Sequence, residues 1–137
     1  MIQDIKRFIV VDDDSTNNLI CSFMLKRFYP GVEVMVYQKP VLAIEEIKTL
    51  YNNTGTNIPT VLFLDVNMPV LSGWDFLEIF ATYHEQVHQQ IKIYMLSSSV
   101  DHRDRQQAGA NRFVSGYVSK PLSAEWIKEN LLEQAVL

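Results

Sequence analysis

One cysteine stands in a chain of 137 residues, so Cys21 has no partner for an intramolecular disulfide and no thiolate cluster for zinc can form. Its neighbours Ile20, Phe23 and Met24 point to a packed thiol rather than a redox switch. Glycine is also scarce. The five glycines, at 31, 55, 73, 109 and 116, form neither a G-x-G-x-x-G run nor a P-loop, which disfavours nucleotide binding. Positive charge is in deficit: twelve Lys and Arg face sixteen Asp and Glu, and the net charge of −4 offers no basic field to nucleic acid or to an acidic membrane surface. Long apolar runs are missing too, since none approaches the ~18 residues that span a bilayer. The apolar stretch nearest the amino terminus, Phe8 to Val11, is cut off by three aspartates and cannot be a secretory h-region. Neither end carries a lipidation signal. These absences predict a soluble protein of the cytoplasm without direct nucleic-acid or membrane contact.

What is present is a chain 47% apolar and 20% charged, near the globular average, and long enough for one ordinary domain. Short apolar runs alternate with longer stretches of helical period, the pattern of a parallel sheet covered on both faces. The runs predict strands at Phe8 to Val11, Glu33 to Tyr37, Val61 to Leu64, Ile91 to Leu96 and Gly116 to Ser119. The first and third are apolar throughout and belong in the middle of the sheet, whereas the second alternates Val34 and Val36 against Glu33 and Met35. Helices are predicted over about Ser15 to Tyr29, Pro40 to Asn52, Ser72 to His88, Asp101 to Asn111 and Ser123 to Glu133. Pro40, Ser72 and Ser123 serve as start signals; Pro30-Gly31, Asn52 to Gly55 and Ala108-Gly-Ala110 serve as stops. The expectation is a single doubly wound (βα)5 α/β domain over residues 1–137, with a five-stranded parallel sheet in the flavodoxin-like order 2-1-3-4-5. Its site should lie beyond the carboxyl ends of the strands.

Carboxylates gather at that edge. The first strand ends in Asp12, Asp13 and Asp14, and the third in Asp65. Acids brought together repel one another unless a cation compensates, and an oxygen-only donor set suits a hard ion such as Mg²⁺ or Mn²⁺. Asp14 also fits a plainer role as the cap of the helix beginning at Ser15. The fourth strand delivers Ser97 to this edge and the fifth delivers Lys120 ahead of Pro121, a hydroxyl and an ammonium able to meet a phosphoryl group.

The runs Ile9-Val-Val-Asp-Asp-Asp14, Leu62-Phe-Leu-Asp-Val-Asn-Met-Pro69 with Gly73, Met95-Leu-Ser-Ser98 and Gly116-Tyr-Val-Ser-Lys-Pro121 resemble, in order and at the correct strand ends, the response-regulator receiver domain of two-component signalling. The layout is most like its stand-alone, chemotaxis-type members. That resemblance implies that Asp65 is the phosphoacceptor and that Asp13, Asp65 and the main-chain carbonyl of Asn67 hold Mg²⁺, with Asp12 acting mostly through water. It further implies that Ser97 and Lys120 bind the phosphoryl group, that Lys120-Pro121 is cis, and that Tyr117 is the switch aromatic. The side chains of Asn67 and Ser99 would flank the path of hydrolytic water. The implied partners are a sensor histidine kinase or histidine phosphotransfer protein and a downstream protein target; a relay intermediate is the variant role. The readout face would comprise the fourth helix, fifth strand and fifth helix, with Leu122 and Trp126 as candidate contributors, in a monomer or a phosphorylation-dependent dimer. No output domain is expected in the chain, which acts as a regulator rather than an enzyme.

One competing motif is His84-Glu85-Gln86-Val87-His88, an H-E-x-x-H zinc-protease pattern. Ile91 and Tyr94 stand where its extended form needs Gly and His, and no late third Glu lies near, so both histidines are expected as solvated surface residues. An aspartyl-phosphate phosphatase is disfavoured by Asn67, where a second acid would be needed.

Overall fold

Phe8 to Val11 and Val61 to Leu64 are buried on both sides, and this double burial decides the architecture. The structure, a computed structural model, describes residues 4–52, 57–98 and 102–132. Strands β1 (Arg7–Val11), β2 (Glu33–Tyr37), β3 (Thr60–Asp65), β4 (Ile91–Ser97) and β5 (Val114–Ser119) form one sheet in the order β2-β1-β3-β4-β5. All neighbouring pairs are parallel, as expected for a doubly wound domain.

Alternate residues of the central strands feed two cores. Ile9, Val11, Leu62 and Leu64 pack with α2 (Pro40–Tyr51), α3 (Gly73–Ala81), α4 (Glu85–Gln90) and Ala108 of α5 (His102–Ala110). Phe8, Val10, Val61 and Phe63 pack with Cys21 and Leu25 of α1 (Ser15–Phe28) and with Ile127 of α6 (Ala124–Ile127). Burying each large side chain such as Phe8 or Phe63 contributes about 2–3 kcal/mol, so the cores also hold the strand ends in place.

The expected caps form. Asp14 accepts from the Thr16 and Asn17 N–H groups at the start of α1, Ser72 makes a reciprocal capping box with Asp75, and Ser123 accepts from the Trp126 N–H. Pro40 occupies the first turn of α2, where its missing N–H costs nothing.

Several expectations are corrected. The helix predicted from Ser72 to His88 is two helices, because Thr82 closes α3 through its hydroxyl on Ile79 O (2.6 Å) and His84, in an extended conformation, caps α4. Tyr83, in the break, donates to Ile44 O of α2 at 2.9 Å. The final helix keeps α geometry only through Ile127 and continues as a π-helical turn, Lys128–Leu132. There the Asn130 side-chain amide takes the Trp126 carbonyl that an α-helical Asn130 N–H would use. Residue 133, the predicted end, lies outside the described residues, as do Asp101, Asn53 to Gly55 and Ser99. Val36 is exposed, since β2 is an edge strand, while Met35 and Tyr37 pack on the α2 core. Leu122 is buried in the α1 core, and Trp126 packs edge-on against Tyr94 (4.9 Å) and Phe63 (5.7 Å). Leu122 is therefore a core residue and contributes nothing to a readout face; Trp126 is half-buried and packed mainly inward.

Candidate functional site

Strand register sets the site. Val11 pairs with Leu64, so Asp12 and Asp65 leave β1 and β3 at the same level of the sheet. Ser97 pairs with Ser119, and the Lys120 N–H donates to Ser97 O at 2.9 Å, which brings β4 and β5 to that level as well. The Lys120-Pro121 peptide is cis, as the resemblance implies.

Lys120 Nζ lies 2.6 Å from Asp12 Oδ2 and 3.2 Å from Asp65 Oδ1, so one ammonium serves two buried carboxylates. Asp12 is fully buried and satisfied further: Asn17 Nδ2 donates to Oδ2 (2.7 Å) and the Asp14 N–H donates to Oδ1 (2.9 Å). Asp65, 4% exposed, has fewer donors, the Asn67 N–H standing 3.4 Å from Oδ1. Burial, and then the charge of Asp12, push the Asp65 carboxyl up to about 7 against the opposing pull of Lys120. Burial alone would lower Lys120, but its hydrogen bond to Asp12 and the charges of Asp65 and Asp12 outweigh that and leave it raised.

Carboxylate oxygens of Asp12, Asp13 and Asp65 lie within 4.8 Å of one another, the single such group among the described residues with the reach to hold a cation. Asp13 is exposed at the mouth and the other two are buried. The unrelieved excess of negative charge and the all-oxygen donors fit a hard divalent ion. Gly73 is required beside them: a Cβ there would sit 2.4 Å from Asp65 O and 2.9 Å from Met95 Cε. The close approach allows the Gly73 N–H to donate to Val66 O at 2.9 Å and ties the start of α3 to the loop after Asp65. Ser97 is buried at the end of β4. Tyr117, half-buried on β5, packs against the α2 core with the Arg105 guanidinium over its ring at 5.3 Å.

Known proteins are similar to this chain in sequence and in fold. The sequence profile of the response regulator receiver domain fits residues 8–132. The chain belongs to that family. Receiver domains are regulators of two-component signalling; they bind Mg²⁺ at an acidic pocket and interact with histidine kinases. A two component response regulator of Cytophaga hutchinsonii is 28% identical, with a TM-score of 0.84 over 97% of this chain and 98% of that one. The 3',5'-cyclic-nucleotide phosphodiesterase regA of Dictyostelium discoideum is 27% identical over 129 residues, covering 91% of this chain and 15% of its own length. The sensor histidine kinase CheAY of Helicobacter pylori is 24% identical over 119 residues, covering 87% of this chain and 14% of its own length. The receiver thus spans about one seventh of the curated relatives it matches.

The zinc-protease reading fails on geometry. His84 lies outside the helix, its Nδ1 accepting the Gln86 N–H at 3.1 Å, and His88 Nε2 meets Phe80 O at 2.6 Å. Contrary to expectation, His88 is not a solvated surface residue, because its ring packs against Phe113 (4.6 Å) and Phe80 (4.8 Å).

Asn17 and Asn18, absent from the expected site residues, hold Asp12 by its carboxylate and by its carbonyl. A signal for Asn17 was present. Asn17, Cys21 and Leu25 recur at helical spacing, so Asn17 occupies a core position where a buried amide needs a polar partner. The Cys21 thiol beneath is pushed up to about 11, first by burial and then by Asp12.

Proposed function

We propose that this receiver accepts a phosphoryl group on Asp65 from the phosphohistidine of a histidine kinase or phosphotransfer protein, and thereby changes a protein-binding face. The observation that supports this best is the meeting of three carboxylates and one ammonium at the carboxyl edge, with a single lysine shared between Asp12 and Asp65. In the transfer the histidine N–P bond breaks, its electron pair returns to the imidazole nitrogen, and a new P–O bond forms to an Asp65 carboxylate oxygen. Asp13, Asp65 and the carbonyl of Asn67 would hold Mg²⁺ or Mn²⁺, with Asp12 behind them; the ion would supply positive charge against the phosphoryl oxygens. Asp65 must be ionised to attack, and a carboxyl at about 7 is made more readily anionic by any nearby positive charge.

Lys120 already stands 3.2 Å from the accepting carboxylate, so its ammonium meets the arriving phosphoryl group after a small movement. The Ser97 hydroxyl donates to another phosphoryl oxygen. Phosphorylation adds about 1–2 negative charges, enough to bias a two-state element. Tyr117 and the face formed by α5, β5 and α6 are the proposed element and readout. Water attack on phosphorus, passing Asn67 and Ser99, returns the carboxylate and releases inorganic phosphate.

Intact mass spectrometry after incubation with Mg²⁺ and acetyl phosphate, carbamoyl phosphate or phosphoramidate tests the proposal. One added phosphoryl group is expected, absent in Asp65→Asn and in excess EDTA. Failure of all three donors to label the wild-type chain refutes it.

A further inference from the structure

Beside the acid pocket lies a second feature that the transfer chemistry does not use. The start of α2 and the loop between β3 and α3 border a largely apolar cleft of about 430 Å³, lined by Pro40, Val41, Leu42, Pro69 and Val70, with Asp13, Gln38 and Lys39 as its polar lining. Its walls are open to solvent: Val70 is 98% exposed, Leu42 51% and Val41 45%. Contiguous apolar surface of this kind marks an interaction site more often than scattered surface residues do.

The loop is also strained. The Leu71 N–H donates to Pro69 O at 2.8 Å, closing a three-residue γ-turn with Val70 at its centre at φ 72°. A β-branched residue at positive φ is a genuine outlier, and such residues cluster at ligand clamps and functional sites. Glycine would fit the turn without strain. The chain instead holds a fully exposed valine there, an apolar contact kept at a conformational cost.

We propose that this cleft receives an apolar side chain of the protein that donates the phosphoryl group, and so selects among protein donors. The inference rests on the reading of Asp65 as phosphoacceptor. The occupant follows from continuity with the acid pocket itself: Asp13 lines the cleft and also belongs to the acid cluster. The loop carrying Val70 is the one that leaves β3 at Asp65. A protein that brings a phosphohistidine to Asp65 must lie over this loop, whereas a small phosphodonor need not touch it. The bonds exchanged are the same in both cases, N–P broken and O–P formed; only the body behind the nitrogen differs.

Val70→Gly and Leu42→Ser should therefore separate two kinds of donor. Phosphoramidate carries the N–P bond without a protein body. Labelling by phosphoramidate and Mg²⁺ is expected to stay within about twofold of wild type in both variants. Transfer from a phosphorylated histidine-phosphotransfer domain, chosen as the fastest donor to the wild-type chain among purified ones, is expected to fall about tenfold or more, the loss of a hot-spot contact. Val70→Gly removes strain as well as the side chain, so its unfolding midpoint should not fall, and slower transfer in it cannot be ascribed to misfolding. Unchanged protein transfer in both variants overturns the cleft assignment, as does an equal loss with both donors. Labelling of wild type by phosphoramidate but by no protein donor overturns it too. Concentration-dependent dimerisation that Val70→Gly abolishes would give the cleft to a second copy of the chain instead. Failure of phosphoramidate on wild type tells against the phosphoacceptor reading itself, a distinct result.

Discussion

Replacing Asp65 with asparagine tests the electrostatics of the pocket most directly. In the metal-free protein, burial and Asp12 raise this carboxyl from its ordinary 3.8 to about 7. A carboxyl whose folded-state pKa exceeds its unfolded one takes up a proton on folding between the two values. Its contribution to stability is therefore fully present below about pH 4 and is lost as the pH rises through about 7. A shift of about three units, at about 1.4 kcal/mol each, amounts to a penalty of roughly 4 kcal/mol on the ionised folded state. Solvent at the open edge of the pocket, where Asp13 is exposed, screens part of this. The attraction of Lys120 is already contained in the shift, and in the variant that lysine keeps Asp12 at 2.6 Å. With that screening, Asp65→Asn should stabilise the metal-free fold by about 2–4 kcal/mol near pH 8. With a urea dependence of about 2 kcal/mol per molar, the unfolding midpoint rises by about 1–2 M. Near pH 5 the gap should shrink to less than half, because the wild-type carboxyl is then largely protonated on folding. Urea unfolding in EDTA across this range is the assay. Adding Mg²⁺ should raise the wild-type midpoint and leave that of the variant nearly unchanged. A variant midpoint at or below wild type near pH 8, or a gap indifferent to pH, would refute the reasoning.

Gly73→Ala places a methyl group against the Asp65 carbonyl oxygen, a backbone atom that cannot swing aside, and should destabilise the fold by about 2–3 kcal/mol. The same variant should slow labelling of Asp65 by acetyl phosphate; a midpoint equal to wild type would show the loop after Asp65 to be loose. Cys21, fully buried with its thiol pushed up to about 11, should react with a disulfide reagent near pH 8 only on unfolding. Prompt stoichiometric modification of the native protein would contradict the described packing of α1.

The strands and the acid pocket were legible because each depends on a short-range pattern. Phe8 to Val11 and Val61 to Leu64 can only be strands buried on both faces, and once they are parallel, Asp12 and Asp65 must share an edge. Elements decided by single contacts were not legible. No glycine or proline marks the break at Thr82 to His84; it depends on a hydroxyl closing one helix and an imidazole capping the next. His88 reads as polar surface until the rings of Phe80 and Phe113, one from α3 and one from the turn before β5, are seen to enclose it. β5 begins two residues before the apolar pattern does, because the register shifts there: Ile93 pairs with Val114 and Tyr94 with Gly116, which leaves the exposed Ser115 between them. The cleft beside Asp13 joins residues 40–42 to 69–70, and no local pattern connects them.

The ion pairs of Lys120 have a consequence for when the site comes into being. Asp12 follows β1, Asp65 ends β3 and Lys120 follows β5, so the cluster closes only when segments more than fifty residues apart have met. While the chain is still being synthesised, β1 and β3 can pair before β5 emerges, and their two buried acids then face each other without the ammonium that balances them. Such long-range closure is among the slow steps of folding. The half-made domain is thus one whose electrostatics oppose completion of the pocket until the last strand arrives. A receiver built this way completes its acid pocket only with the arrival of a single lysine.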